Sequence, residues 1–249
     1  MIIPEHLAEL GFDGPPDLTA GAGESVGILD GGVAAIAAFR GRLERLTSTG
    51  EIDGGQPTEH ATRCASLIGS ADAAAPGVAP GVKLVSLNVS RNQSADPDCV
   101  AAALDLLGDR GVRVASCSFV FETTDDRLAD AVERYLDRGY ILVGAAGNSK
   151  HRQGFHFSGR IPRVVRVFAN AIAPDSLGTA VEVCAPGRRL AVVGCDGIPD
   201  LGWPGKSSGA TALVAGLAAL GLARGLSAVE VRAEFLRSAT NMATVDRIA

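Results

Sequence analysis

The chain has 249 residues, a formal net charge of −5, 47% hydrophobic residues and only 4% aromatic ones. Its lysines and arginines are scattered rather than gathered into one stripe, which argues against nucleic acid as a partner. Residues 1–20 carry Glu5, Glu9, Asp13 and Asp17 with no basic region before an apolar run, so no secretory signal is read there, and no stretch reads as a membrane span.

The size suits one α/β domain over residues 1–249, with 1–24 as an N-terminal segment and a core from about 25 to 240. Cys64, Cys99, Cys117, Cys184 and Cys195 are odd in number and lack CxxC spacing. Most sit in apolar runs, which predicts reduced, buried thiols and a cytoplasmic protein.

Along the chain, the apolar runs Ser25–Leu29, Val82–Val89, Val112–Phe119 and Ile141–Ala146 are short and nearly continuous. Strands of a parallel sheet covered on both faces look like this. Helical stretches at Pro97–Asp109 and Asp125–Arg138 lie between them, the second with Leu128, Ala131, Val132, Tyr135 and Leu136 at helical spacing. The alternation predicts an α/β three-layer fold, a mostly parallel central sheet with helices on both faces.

Val164–Ala169, Val181–Ala185 and Ala191–Gly194 read as further strands, separated by the turns Pro174-Asp175 and Pro186-Gly187. Ser208–Ala223 is small and apolar all round, the mark of a buried helix. Ser227 and Glu230 stand in capping-box spacing and open a last helix that runs to about Ala239.

Four residues could carry chemistry, and each also has a structural reading. Asp30 ends the first strand before Gly31-Gly32, either as a turn former or as a carboxylate presented at the sheet's carboxyl edge. Gly21 and Gly23 precede that strand, so they form no dinucleotide loop. His60 starts a helix; His6, His151 and His156 have no comparable setting. Asn148 follows a strand and Gly147, as a turn residue or as a donor to a developing oxyanion. Ser208 opens the buried helix, as its cap or as a nucleophile at the helix's positive end, and Ser207 beside it is the competing cap.

In order, these segments resemble the subtilisin-like serine peptidases over roughly Ser25 to Ala223. Ile28-Leu29-Asp30-Gly31-Gly32-Val33 resembles the family's Asp segment and His60-Ala61-Thr62 its His-Gly-Thr. Pro76 to Leu84 is similar to its Gly-Val-Ala-Pro-Gly-Ala strand entry. Val143 to Ser149 resembles its Ala-Ala-Gly-Asn segment, Val183 to Gly187 its Ala-Pro-Gly turn, and Ser207-Ser208-Gly209-Ala210 its Thr-Ser-Met-Ala.

The resemblance implies peptide-bond hydrolysis by an Asp30, His60 and Ser208 triad, whose chain order is that of subtilisin, with Asn148 and the Ser208 N–H as the oxyanion hole. It implies substrate contacts at Ser118, Phe119, Val120, Ala145, Ala146 and Gly147, and a peptide or protein substrate. No acidic loop reads as a calcium site, so no metal or cofactor is expected. Oligomeric state is not encoded in any motif.

The chain departs from the family pattern in four ways. Ala61 replaces the Gly after the histidine. Ser207 replaces Thr, and Ala212 replaces the Pro of the following helix. Ser116-Cys117-Ser118-Phe119 is followed by Val120 and Phe121 where the family has glycines, which would narrow the cleft and select substrates. No pro-segment of the family's kind precedes Asp30. These features leave an inactive peptide-binding or regulatory module as the rival reading. An α/β hydrolase is rejected because no Gly-x-Ser-x-Gly elbow is present.

Overall fold

A computed structural model describes residues 3–92, 94–121, 126–148, 161–169 and 181–240. Strands β1 (Ser25–Asp30), β2 (Leu43–Thr47) and β3 (Lys83–Asn88) are followed by the hairpin strands β4 (Ser90–Arg91) and β5 (Ser94–Ala95). Then come β6 (Val114–Cys117), β7 (Ile141–Ala145), β8 (Val165–Ala169), β9 (Val181–Ala185), β10 (Leu190–Val193) and β11 (Pro199–Trp203). The helices are α1 (Glu5–Glu9), α2 (Glu59–Gly69), α3 (Pro97–Asp109), α4 (Asp126–Asp137), α5 (Lys206–Ala223) and α6 (Ala228–Thr240).

Seven strands make one sheet in the order β2-β3-β1-β6-β7-β8-β9, every neighbouring pair parallel. Side chains alternate across it. Val26 and Ile28 enter the core layer shared with α2 and α5, while Leu29 enters the layer shared with α3 and α4. This is the three-layer α/β fold that the alternation of elements predicts.

Local chemistry explains the helices. Thr58 caps α2 by accepting from Ala61 N at 3.2 Å, and Asp96 caps α3 by accepting from Cys99 N at 3.0 Å with Pro97 in the first turn. In α4, Leu128, Ala131, Val132, Tyr135 and Leu136 form the buried stripe. Ser227 and Glu230 make the predicted capping box, with Ser227 N on Glu230 Oε2 at 2.8 Å.

Some expectations need correction. Most strand bounds differ from the apolar runs by one or two residues, β1 being one residue longer, β3, β6, β7 and β8 shorter and β10 shifted by one; β2 escapes that reading because only Leu46 on this edge strand is buried. Helix α5 is long and apolar enough to cross a membrane on composition alone, contrary to the sequence reading. Its side chains from Ser207 to Leu222 are nevertheless buried, which makes it the central core helix. All five cysteines are thiols, but only Cys64 and Cys117 are buried; Cys99 and Cys195 are half-buried and Cys184 is exposed. His6 is buried rather than merely N-terminal, and accepts from Ala191 N at 3.3 Å. Asp125, Ser149, His151, His156 and the Pro174-Asp175 turn lie outside the described residues.

The order of strands positions the site. From β1 the chain passes to β2 and β3 on one side and then crosses to β6 on the other, which makes the carboxyl ends of β1 and β6 a topological switch point. Such a switch point is where open α/β sheets bind ligands.

Candidate active site

Asp30 is the last residue of β1. Both its carboxylate oxygens are engaged: Oδ1 accepts from Gly31 N at 2.7 Å and Oδ2 meets His60 Nδ1 at 2.8 Å. Gly31 makes the second contact possible. A Cβ there would stand 2.6 Å from Thr58 Cγ2, so only glycine lets the cap of α2 approach the end of β1. Thr58 N also donates to Gly32 O at 3.0 Å, and His60, in the first turn of α2, arrives opposite Asp30.

The imidazole is partly sheltered, its side chain 43% exposed against 13% for Asp30. The Asp30 hydrogen bond holds the His60 pKa above its ordinary value of 6.5, and burial opposes that rise. Nδ1 facing a carboxylate fixes the tautomer and makes Nε2 the accepting nitrogen.

Trp203, the last residue of β11, closes one side of the histidine. Its ring meets that of His60 edge-on, centroids 6.2 Å apart. The indole lies over the start of α5, where a Cβ on Gly205 would come within 2.8 Å of it. Sequence reasoning missed Trp203, because a lone aromatic outside a periodic run carries no signal.

The start of α5 differs from the sequence reading. Neither serine caps the helix: Gly205 is the N-cap residue, and Ser207 and Ser208 lie inside the first turn. Asn148, just beyond β7, does the capping from outside. Its Oδ1 accepts from both Ser207 N at 3.0 Å and Ser207 Oγ at 2.8 Å. Those two donors fix the orientation of the amide, so Nδ2 is the end left to donate elsewhere. Lys206 N donates to Gly187 O at 2.7 Å and Gly209 N to Gly205 O at 3.0 Å. Between them, the Ser208 N–H has no partner among the described residues.

Ser208 Oγ donates to the Ser118 carbonyl at 3.1 Å, and no hydrogen bond joins it to His60. The structure therefore brings Asp30 and His60 into contact and holds the serine on the neighbouring acceptor. Catalytic bonds of this kind often close only when substrate is bound.

Ser118 directly follows β6 and is buried. Beyond it, the two aromatics turn inward: Phe121 is buried in the second core layer and packs edge-on against Phe119 at 5.3 Å. Only Val120, 40% exposed, presents bulk to the surface, so Phe121 does not narrow the cleft as the sequence suggests. Ala145 and Ala146 are buried, and Gly147 takes a φ of 93° at the turn into Asn148. Ala61 and Ala212 are both fully buried; the methyl of the first packs into the core, and the second keeps α5 continuous.

Donor atoms of Asp30, His60 and Cys64 lie within 4.8 Å of one another, close enough to suggest a metal. Cys64 is buried, burial raises the pKa of its thiol, and Asp30 and His60 are hydrogen-bonded to each other.

Comparison with known proteins agrees with this geometry. A family model described as the subtilase family matches residues 21–249. A thermostable alkaline protease of Halalkalibacterium halodurans is 29% identical over 68% of this chain, which spans about half (49%) of that relative's length. Subtilisin DY of Bacillus licheniformis is 28% identical over 89% of this chain and 85% of its own. Among solved structures, the protease domain of PatA superposes with a TM-score of 0.74 at 24% identity, covering 94% of this chain and 93% of that one. The chain belongs to the subtilase family of subtilisin-like serine peptidases.

Proposed function

We propose that this chain is a serine endopeptidase that hydrolyses peptide bonds through Asp30, His60 and Ser208, with Asn148 as an oxyanion donor. The observation that carries the reading is the 2.8 Å contact between His60 Nδ1 and Asp30 Oδ2, which orients an imidazole with a raised pKa at the switch point of the sheet. The Ser208 hydroxyl swings from Ser118 O to His60 Nε2 and attacks the carbonyl carbon while His60 takes its proton. Asn148 Nδ2 and the Ser208 N–H receive the oxyanion. His60 then protonates the leaving amine, and water repeats the sequence on the acyl-enzyme.

Substrate choice is restricted in this reading, as suits the processing of a specific precursor peptide. Val120, exposed just beyond Ser118, supports it by placing a branched side chain where the extended substrate would run. The five thiols suit a reducing compartment such as the cytoplasm. The contact of Ser208 Oγ with Ser118 O favours a second reading, an inactive module that only binds peptides.

Digestion of a proteome-derived peptide mixture, with mass spectrometry of the new termini, separates the two. The endopeptidase yields a restricted set of cleavages that Ser208→Ala abolishes. Wild-type protein that retains peptides without creating new termini is the binding module instead.

A further inference from the structure

Beside Asn148 lies a cavity of about 400 Å³ whose wall includes Arg188, Arg189, Lys206, Gly202 and Pro204. Three of its lining residues are cations, and no carboxylate lines it among the described residues. Arg189 shares its charge with Glu5 at 3.5 Å, whereas Arg188 and Lys206 make no ion pair with a described residue.

The backbone adds a second observation. Only three described residues other than glycine have positive φ, and two of them, Arg189 at 52° and Lys206 at 51°, line this cavity. Such conformations disfavour side chains with a Cβ, and they cluster where a site needs a particular group. Here the chain holds cations in positions that glycine would occupy with less strain.

The position relative to the reacting groups selects the side of the scissile bond. Gly202 and Pro204 flank Trp203, whose ring meets His60, the group that hands a proton to the leaving amine. In the endopeptidase reading, the acyl side runs along Ser118, which follows β6. We infer that this cavity is a subsite for a carboxylate, an acidic side chain or a free terminus, borne by the leaving-group side of the peptide. The inference rests on the endopeptidase reading above, which supplies the acyl-enzyme and the leaving amine.

Microscopic reversibility gives a test independent of which peptide is cleaved. An acetyl-enzyme made with p-nitrophenyl acetate is partitioned between water and added dipeptide amides, Gly-Asp-amide against Gly-Asn-amide. In the transfer, the amine nitrogen bonds to the acyl carbon and the bond from that carbon to Ser208 Oγ breaks. The proton lost by the amine passes through His60 to Oγ.

The ratio of amide product to acetate is internal to each enzyme, so it is unaffected by how fast that enzyme is acylated. Wild type captures the Asp amide about fivefold better than the Asn amide, the reach of exposed charge pairs, and the preference fades as salt is raised. It disappears in Arg188→Gln/Lys206→Gly, whose glycine also relieves the φ of 51°, and it is weakened in Arg188→Gln alone.

Equal capture of the two amides by wild type overturns the subsite, as does a preference that survives in both variants. Failure to form any acetyl-enzyme, seen by intact mass, overturns the endopeptidase reading instead and takes the subsite with it.

Discussion

Ser118 and Ser208 exchange hydrogen bonds: the Ser208 hydroxyl donates to the Ser118 carbonyl and the Ser118 hydroxyl to the Ser208 carbonyl, both at 3.1 Å. The start of α5 is thereby tied to the end of β6, and the hydroxyl rests on an acceptor other than His60. Rotation about the Ser208 Cα–Cβ bond carries the hydroxyl away from that acceptor.

Ser118→Ala keeps the Ser118 carbonyl and removes one half of this exchange. Loss of a hydrogen bond to a buried carbonyl costs about 1 kcal/mol, so chemical denaturation should place the variant below wild type by that amount. A midpoint equal to wild type would show that the tie contributes nothing.

Asn148 has two separable duties at its two ends. Oδ1 caps Ser207, and Nδ2 is the oxyanion donor of the proposed mechanism. Asn148→Ala loses both, lowering stability by about 1 kcal/mol and turnover by about 10²–10³, the loss known for a subtilisin stripped of its oxyanion asparagine. Asn148→Asp keeps the acceptor, so its thermal midpoint stays near that of wild type while turnover falls at least as far. An Asp variant as active as wild type would remove Asn148 from the oxyanion hole.

In the proposed mechanism His60 must be neutral to accept the serine proton, and its pKa is raised mainly by the Asp30 hydrogen bond. Activity should therefore fall on acidification, through a pKa above 6.5. Trp203 is the only tryptophan in the chain and lies 6.2 Å from this ring, so quenching of its emission by the imidazolium reports the same titration. In Asp30→Asn the fluorescence transition moves to lower pH. A transition unmoved by that substitution would mean that Asp30 does not set the histidine's charge.

His6 behaves in the opposite sense. Burial pushes its pKa down to about 4, so the folded protein holds it neutral while the unfolded chain takes up a proton near 6.5. The stability tied to it is complete above pH 6.5 and is lost as pH falls toward about 4, a loss of about 3 kcal/mol in all. His6→Asn, which retains an acceptor for Ala191 N, should flatten the fall of the thermal midpoint over that window. An unchanged slope would assign the acid loss to other groups.

Much of this arrangement is legible in the sequence, because buried parallel strands are continuous in Val, Ile and Leu and because Asp30, His60, Asn148 and Ser208 each sit at the end of an element. What escaped reading has physical causes. Strand β2 lies at an edge with mixed polarity. The capping of Ser207 by Asn148 joins residues 59 apart, which no local pattern encodes. Phe121 looked like bulk in the cleft, but only the fold shows that its ring turns into the core. The positive φ of Arg189 and Lys206 is hidden because neither residue type announces a left-handed turn.

The most direct measurement is reaction with a fluorophosphonate probe, followed by intact mass and site mapping on wild type, Ser208→Ala and His60→Ala. One adduct on Ser208 in wild type, absent from Ser208→Ala and strongly slowed in His60→Ala, is the expected result. Folded wild-type protein that takes no adduct, or takes it at another residue, would contradict Ser208 as an activated nucleophile.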